Sequence, residues 1–357
     1  MNTGSYVNGK WYQPTAKEIG RNINPADTDD VIAEYSYATA ADVRKAIDTA
    51  QAAFPAWRKT PGPERGRVIW RAAEIARRRA DEIARTLTRE EGKILKEAKG
   101  EVMKGISLLE YYAGEGFRLH GKTLPSEARD TFTYTVRQPL GVVGLIAPWN
   151  FPWAIPVWKS APALVAGNTV IFKPSELTPA TAALMTEIYE EAGAPPGVFN
   201  MLVGNGPDVG EAMVNASELR AISFTGSNEV GAAIYVKVAQ RGAKVTCEMG
   251  GKNAVIVMPD ADLDKAALAI HGGAFGSTGQ RCTATSRVIA HPDIKQALLE
   301  RLVEGAKKIR IGPGLDETID MGPVVDNQQW TTVLNYIKIG QQEGGKLVLG
   351  GKRPEQM

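Results

Sequence analysis

Three observations predict a doubly wound α/β fold, a parallel sheet covered by helices on both faces. From Gly141 onward short apolar runs recur along the chain: VVGLIA, TVIF, FNMLV, RAISF and KVTCEM. Helical stretches such as TPATAALMTEIYEEAG separate them. The runs are apolar throughout rather than alternating, which is the pattern of strands buried on both faces of a parallel sheet. Five such strands in this order make a nucleotide-binding architecture the leading expectation.

The elements follow from local patterns. Asn8-Gly9 sits between YV and KWY, a hairpin-type turn signal. From Ala40 to about Phe117 the apolar spacing is helical, as in Ile69, Ala72, Ala73, Ile75, Ala76, Ile83 and Leu87. The charges of RAAEIARRRADEIAR read as a solvated helix face. TFTYTVRQ (131–138) alternates strictly, with Phe132, Tyr134 and Val136 on one face and threonines on the other. It predicts a strand with one wet face, of the kind used in hairpins or subunit contacts. After Gly250 come a strand (NAVIVM), a helix (DADLDKAALAIHGGAF), a strand (SRVIAH) and a helix (DIKQALLERLVEGAKKI). A strand-like KLVLGG precedes the final KRPEQM, and no internal repeat interrupts the series.

Composition narrows the function classes. A chain of 357 residues exceeds one small core, so two or more domains are expected. Hydrophobic content of 43% with 23% charged residues is that of a soluble globular protein. The net charge of +2, from 42 basic and 40 acidic residues, gives no electrostatic case for nucleic acid or a polyanionic partner. Two cysteines make no disulfide framework and favour a reducing, cytoplasmic setting. The first residues, MNTGSYVNGKWYQP, lack the apolar core of a signal peptide. The most apolar stretch, Val142 to Phe172, is broken by Pro148, Pro152, Pro156 and Pro162 and carries Lys159, with Lys173 next in line. It does not meet the requirement of about 20 uninterrupted apolar residues for a membrane span.

Five short stretches carry the chemistry. GNGPDVG (204–210) follows a strand and opens a helix, either as a cofactor loop or as a plain strand-to-helix turn. FTGS (224–227) ends a strand at Phe224; Gly226 then allows close backbone approach at a helix N-terminus, where Ser227 is either an anion ligand or simply an N-cap. FKPSE (172–176) sets a Lys and a Glu at the carboxyl end of a strand, where they bond ribose hydroxyls or each other. In CEMGG (247–251), Glu248 at a strand end is expected to be partly desolvated, which raises a carboxyl pKa towards a general base, or else it is a capping or paired Glu. GQRCTATSR (279–287) holds Cys282 after a Gly-rich run, as a nucleophile or an inert thiol. A Ser/His/Asp hydrolase is set aside, since His120, His271 and His291 have no nucleophile-elbow context and no G-x-S-x-G occurs. No Cys/His cluster has zinc-ligand spacing.

Taken together, PWNFP (148–152), FKPSE, FTGS, EMGGKN (248–253) and GQRC (279–282), in this order and spacing, resemble the aldehyde dehydrogenase superfamily from about residue 5 onward. The resemblance implies a catalytic Cys282 that attacks the aldehyde carbonyl to give a thiohemiacetal. It implies an oxyanion hole made by the Asn150 side-chain amide and the Cys282 backbone N–H. Hydride then passes to the nicotinamide, and Glu248 activates water to hydrolyse the thioester. Cofactor contacts are implied at Ile146, Ala147, Pro148, Trp149, Lys173, Ser175, Glu176, Gly206, Gly210, Phe224, Thr225, Gly226, Ser227, Val230, Met249 and Gly250. Glu176 near the ribose accepts from a 2′-hydroxyl and repels a 2′-phosphate, which favours NAD, although Lys173 keeps NADP open. Aromatic walls for the aldehyde are sought among Trp149, Phe151, Trp153 and Trp158, some of which are core. Phe151, Trp158, Arg281 and Thr283 are the substrate candidates, and Arg281 beside the nucleophile hints at an acidic semialdehyde. AFGSTGQRCTATSR is most similar to α-ketoglutaric semialdehyde dehydrogenases within the superfamily. Cys247 matches no catalytic position and is expected to be a small buried hydrophobe. No metal is implied.

On this resemblance, residues 1–125 and 140–248 form the NAD-binding domain, 126–139 an incomplete oligomerisation hairpin, and 249–357 a truncated α/β catalytic domain. The family pattern runs on beyond this sequence, and its Glu-x-Phe-Gly-Pro motif, which holds the nicotinamide ribose, does not occur here. Weaker order at the nicotinamide end and an exposed edge at TFTYTVRQ are therefore expected. Active dehydrogenase, impaired nucleotide-binding protein and CoA-acylating relative are the three functional readings, and Glu248 speaks against the last. A homo-oligomer is expected for the family, with neither nucleic acid nor membrane as partner.

Overall fold

The computed structural model describes residues 4–15 and 19–354. The ends of the expected first and last domains (1–3 and 355–357) and residues 16–18 lie outside the described residues. In chain order the strands are β1 (Ser5–Val7), β2 (Lys10–Tyr12), β3 (Ile19–Ile23), β4 (Val31–Ser36), β5 (Thr123–Leu124), β6 (Thr133–Tyr134), β7 (Val142–Ile146), β8 (Thr169–Lys173), β9 (Phe199–Met201), β10 (Leu219–Gly226), β11 (Lys244–Met249), β12 (Asn253–Val257) and β13 (Thr285–Ala290). The helices are α1 (Ala40–Lys59), α2 (Gly62–Arg78), α3 (Ala80–Glu91), α4 (Leu95–Glu115), α5 (Ala154–Val165), α6 (Pro179–Glu191), α7 (Glu211–Asn215), α8 (Asn228–Gln240), α9 (Leu263–Phe275), α10 (Pro292–Ala306) and α11 (Asn327–Gln342). The chain forms two compact units, and among the described residues no helix is long and apolar enough to cross a membrane.

The first unit comprises Met1–Asn22, Ala33–Ile83 and Gly100–Glu248. Its seven-stranded sheet has the order β11-β10-β7-β8-β9-β1-β2. Strands β10, β7, β8 and β9 are parallel, and β1 runs antiparallel to β9. The chain lays β8 and β9 on one side of β7, then returns to lay β10 and β11 on the other. This is the doubly wound topology expected from the apolar runs, with its switch point between β7 and β10. On one face Val43 and Ile47 of α1, Met213 of α7 and Ile234 of α8 share a core with Val142, Ile171 and Ile222. On the other, Tyr189 of α6 packs its ring 5.0 Å from that of Phe199. The β1–β2 turn is the predicted hairpin: Asn8 and Gly9 take φ of 56° and 72°, left-handed values that an Asn-Gly pair adopts with little strain.

One strand expectation is met only in part and another fails. Within 131–138 only Thr133–Tyr134 pairs, with Thr123–Leu124, and Phe132, Tyr134 and Val136 are 75%, 61% and 63% exposed. KLVLGG forms no strand. Alternation or apolarity sets up a strand only where a partner edge supplies the ladder, and a lone two-stranded ribbon is marginal.

The second unit comprises Ile23–Ile32, Ala84–Lys99 and Met249–Met357. Parallel β12 and β13 pair here, and α9 and α10 close a small core of Val257, Ala267, Ile270 and Leu298. The segment 1–125, expected in one domain, is divided: residues 23–32 and 84–99 belong to this unit. Polar bonds tie this segment to the unit, since Glu91 and Glu97 bond to Gln280 and Arg281. Helical periodicity reports which face is buried, not what covers it. Helix α11, capped where Asp326 accepts from the Gln329 N–H at 2.7 Å, has no counterpart in the sequence reading.

Candidate active site

In the first unit the switch point gathers four of the predicted motifs at one edge of the sheet. Ile146 lies opposite both Lys173 and Phe224 in the ladder, so the carboxyl ends of β7, β8 and β10 stand side by side. The Ala147 N–H donates to the Lys173 carbonyl at 3.2 Å as the chain leaves β7 towards Pro148 and Trp149. Lys173 is buried; its Nζ donates to the Pro174 carbonyl (3.0 Å) and lies 3.4 Å from Glu176 Oε2. Burial lowers the Lys173 pKa and the Glu176 carboxylate opposes that shift. Glu176 itself keeps 40% of its side chain exposed, while Ser175 is buried with its hydroxyl accepting from the Leu177 N–H at 3.2 Å. The GNGPDVG loop reaches the same edge as a π-helical turn, Gly206–Gly210, with Gly210 against Lys173. A side chain at Gly206 would enter open space.

FTGS resolves into two local causes. Ser227 is the N-cap of α8, and its hydroxyl accepts from the Val230 N–H at 3.3 Å. A Cβ at Gly226 would come within 2.4 Å of the Phe224 ring, so glycine is required there by the strand's own side chain. The helix N-terminus beyond Thr225 still presents backbone N–H groups and a partial positive charge.

The Asn150 turn is held by a residue the sequence reading missed. Glu101 of α4, buried, accepts from the Trp153 and Ala154 N–H groups at 3.0 and 3.1 Å and so caps α5 immediately after PWNFP. Trp153 is fully buried, its indole donating to the Val102 carbonyl, and is therefore core rather than an aldehyde wall. Asn150, Trp149 and Phe151 are half-buried, whereas Trp158 is exposed. Trp158 lines a pocket of about 350 Å³ with Lys104, Ser107, Leu108, Tyr111 and Tyr112, and the Lys104 ammonium lies 5.3 Å from the Trp158 ring centre.

Glu248 departs from expectation. It is exposed, not desolvated, because β11 is the edge strand of the sheet and is covered on one side only. Its electrostatic neighbour is Lys159, the lone charge inside the apolar stretch of α5, which was the signal available in the sequence. Lys159 Nζ donates to Ser223 Oγ at 2.8 Å, and Thr246 Oγ1 bonds the same hydroxyl at 3.0 Å. Burial pushes Lys159 down to about 8, with Glu248 and then Cys247 pulling in the opposite direction. Cys247 is half-buried, its thiol 3.5 Å from the Gly231 carbonyl and raised in pKa chiefly by burial, as an unreactive packing residue should be.

In the second unit Cys282 is exposed. The GGKN segment meets it here: Asn253 Nδ2 donates to the Cys282 carbonyl (2.8 Å) and to that of Ala284 (3.3 Å), and Gly251 lies beside the Cys282 carbonyl, while Met249 and Gly250 are exposed. Before Cys282 the chain takes three left-handed residues in succession, Ser277 (φ 50°), Thr278 (φ 57°) and Gly279 (φ 71°). For the two non-glycine residues this costs about 1–2 kcal/mol each. Gln280 is fixed by the Val325 N–H on its Oε1 at 3.1 Å. Arg281 is paired with Glu97 at 3.1 Å, so its guanidinium is engaged inside the unit, while Thr283 is exposed.

The family model for the aldehyde dehydrogenase family matches residues 11–357. The chain is 48% identical over 351 residues to an alpha-ketoglutaric semialdehyde dehydrogenase of Bacillus subtilis, covering 98% of this chain and 72% of that protein. It is 47% identical over 345 residues to a 2,5-dioxopentanoate dehydrogenase of Saccharolobus solfataricus, covering 96% and 72%. Among solved structures it superposes on betaine aldehyde dehydrogenase from Staphylococcus aureus in complex with NAD+ with a TM-score of 0.97 at 33% identity, covering 100% of this chain and 71% of that one. An NADP-dependent enzyme from E. coli gives a TM-score of 0.96 at 35% identity, covering 100% and 74%.

Proposed function

Because this chain belongs to the aldehyde dehydrogenase family, we propose that it oxidises an aldehyde to the carboxylic acid with NAD(P), through Cys282, Asn150 and Glu248. The observation that carries the proposal is the exposed Cys282 thiol on a turn whose flanking residues are each held by hydrogen bonds. The thiolate forms a C–S bond to the carbonyl carbon as the π pair moves onto oxygen. The Asn150 amide and the Cys282 N–H stabilise that oxyanion. Bound NAD(P) supplies the hydride acceptor that brings the adduct to the thioester level. Glu248 then takes a proton from the water that opens the thioester, releasing the acid and the Cys282 thiolate.

The carboxyl edge of the first unit's sheet suits such a cofactor. A buried ammonium (Lys173), a half-exposed carboxylate (Glu176), the N-terminus of α8 and the open space at Gly206 form a donor and acceptor set for a diphosphate and ribose hydroxyls. Glu176 is the discriminator, since it accepts from a 2′-hydroxyl and repels a 2′-phosphate. Replacing it by glutamine should move the NADP-to-NAD ratio of kcat/KM upward by about 5- to 10-fold, the scale of one partly screened like-charge contact. Steady-state rates with each cofactor test this, and an unchanged ratio counts against the assignment.

For the substrate we propose an aldehyde that also carries a carboxylate. The two relatives described are named for alpha-ketoglutaric semialdehyde and for 2,5-dioxopentanoate, two names of one compound, a 2-oxo acid bearing an aldehyde. Arg281 is tied to Glu97, so the cation suited to this carboxylate is Lys104, in the aromatic pocket beside Trp158. A panel of aldehydes should give higher kcat/KM for carboxylate-bearing members than for aliphatic ones of equal length. Lys104→Met should raise KM about tenfold for the former only, the loss of one charge-assisted hydrogen bond. Faster turnover of simple aliphatic aldehydes would remove this substrate class.

A further inference from the structure

We infer that Glu97, on the first turn of α4, is a positioning residue for Cys282, and that Arg281 serves this device rather than the substrate. The left-handed run Ser277-Thr278-Gly279 is a conformation that Ser and the β-branched Thr resist, so neighbouring groups must impose it. The neighbours form a closed ring. Glu97 Oε1 accepts from the Ser277 N–H at 2.8 Å and from Arg281 Nη2 at 3.1 Å, and Arg281 Nε donates to Ser277 Oγ at 3.2 Å. One carboxylate oxygen therefore joins the first residue of the strained run to the residue before the nucleophile. The ring also requires Gly276, where a Cβ would come within 2.4 Å of the Arg281 guanidinium. Thr278 is tied separately, its hydroxyl donating to the Gly322 carbonyl at 3.1 Å. Past the turn, Gln280 packs against buried Glu91 at 3.4 Å, and Asn253 holds the Cys282 carbonyl. The backbone on both sides of the thiol is thus over-determined, and the Glu97 carboxylate, with the Arg281–Ser277 bond beside it, ties the strained turn from end to end.

The inference rests on Cys282 being the nucleophile, and the test separates the two. In the full chain, Glu97→Ala should lower kcat about 10- to 100-fold with little change in KM, equally for carboxylate-bearing and neutral aldehydes, as loss of a charge-assisted anchor implies. The rate of Cys282 alkylation by iodoacetamide, followed by mass spectrometry, should shift with it. Glu97→Gln keeps an acceptor for the Ser277 N–H and should recover most of the rate. Thr278→Gly, which makes the left-handed turn cheap, should partly rescue the alanine variant. Wild-type turnover and alkylation rates in Glu97→Ala overturn the inference, as does a loss of melting temperature with kcat intact. A KM increase confined to carboxylate-bearing aldehydes overturns it in favour of Arg281 as a substrate group. Activity that survives Cys282→Ser defeats the underlying reading instead, and the alkylation rates of the Glu97 variants still decide the positioning question.

Discussion

Cys282→Ser should reduce aldehyde-dependent formation of NADH by at least about 1,000-fold while leaving NAD affinity within twofold. A serine hydroxyl has nearly the thiol's shape, but its proton is far harder to remove and its anion is not populated near neutral pH. The turn that carries Cys282 is fixed by backbone and flanking-residue bonds, none of which uses the sulfur, so the substitution leaves them in place. The side chain is exposed, and no cavity opens on replacing it. The decisive comparison is initial rate against cofactor binding, the latter by fluorescence titration. Turnover above a tenth of the unmodified chain's would mean that Cys282 is not the nucleophile. If the unmodified chain binds NAD and turns over no aldehyde, the binding-protein reading takes its place.

Much of the fold was legible because parallel strands buried on both faces write themselves as unbroken apolar runs. VVGLIA, TVIF, FNMLV, RAISF and KVTCEM all enter one sheet, and their order places the switch point where PWN, FKPSE and FTGS converge. What stayed hidden depends on long-range partners. The alternation of TFTYTVRQ carries no information about whether an edge is available to pair with it, and only Thr133–Tyr134 finds one. Glu91 and Glu97 sit in a span whose helical spacing says nothing of their partners, and they bond to residues more than 180 positions away. Arg281 looked like a substrate group because adjacency in sequence to Cys282 was all that could be read, whereas its partner, Glu97, lies on α4. Gly226 was read as room for a ligand, and the Phe224 ring adds a second demand for glycine there that the sequence did not display. Lys159 was visible as a charge in an apolar helix, but its meaning required knowing that Glu248 is its electrostatic neighbour.

Glu248→Gln should separate the two halves of the reaction. Glutamine cannot take a proton from water, so deacylation should fall by about 100- to 10,000-fold, the usual range for loss of a general base. Acylation by Cys282 does not call on Glu248 and should continue. Stopped-flow absorbance is then expected to show one equivalent of NADH per chain in a rapid burst, followed by a slow steady state. Because Glu248 is exposed on an edge strand, the change should leave stability close to that of the unmodified chain. The pH dependence follows from Lys159, whose pKa lies near 8 in the folded chain. Below that value the Lys159 ammonium attracts the Glu248 carboxylate; above it the amine is neutral and leaves that carboxylate to the water. The steady-state rate should therefore rise as pH passes through about 8, and Lys159→Met should remove that inflection while leaving the burst intact. A glutamine variant with unchanged steady-state rate would sink the assignment of Glu248. If coenzyme A makes the unmodified chain form acyl-CoA faster than acid, the thioester passes to a thiol instead of water, and Glu248 has no base to be in the main reaction.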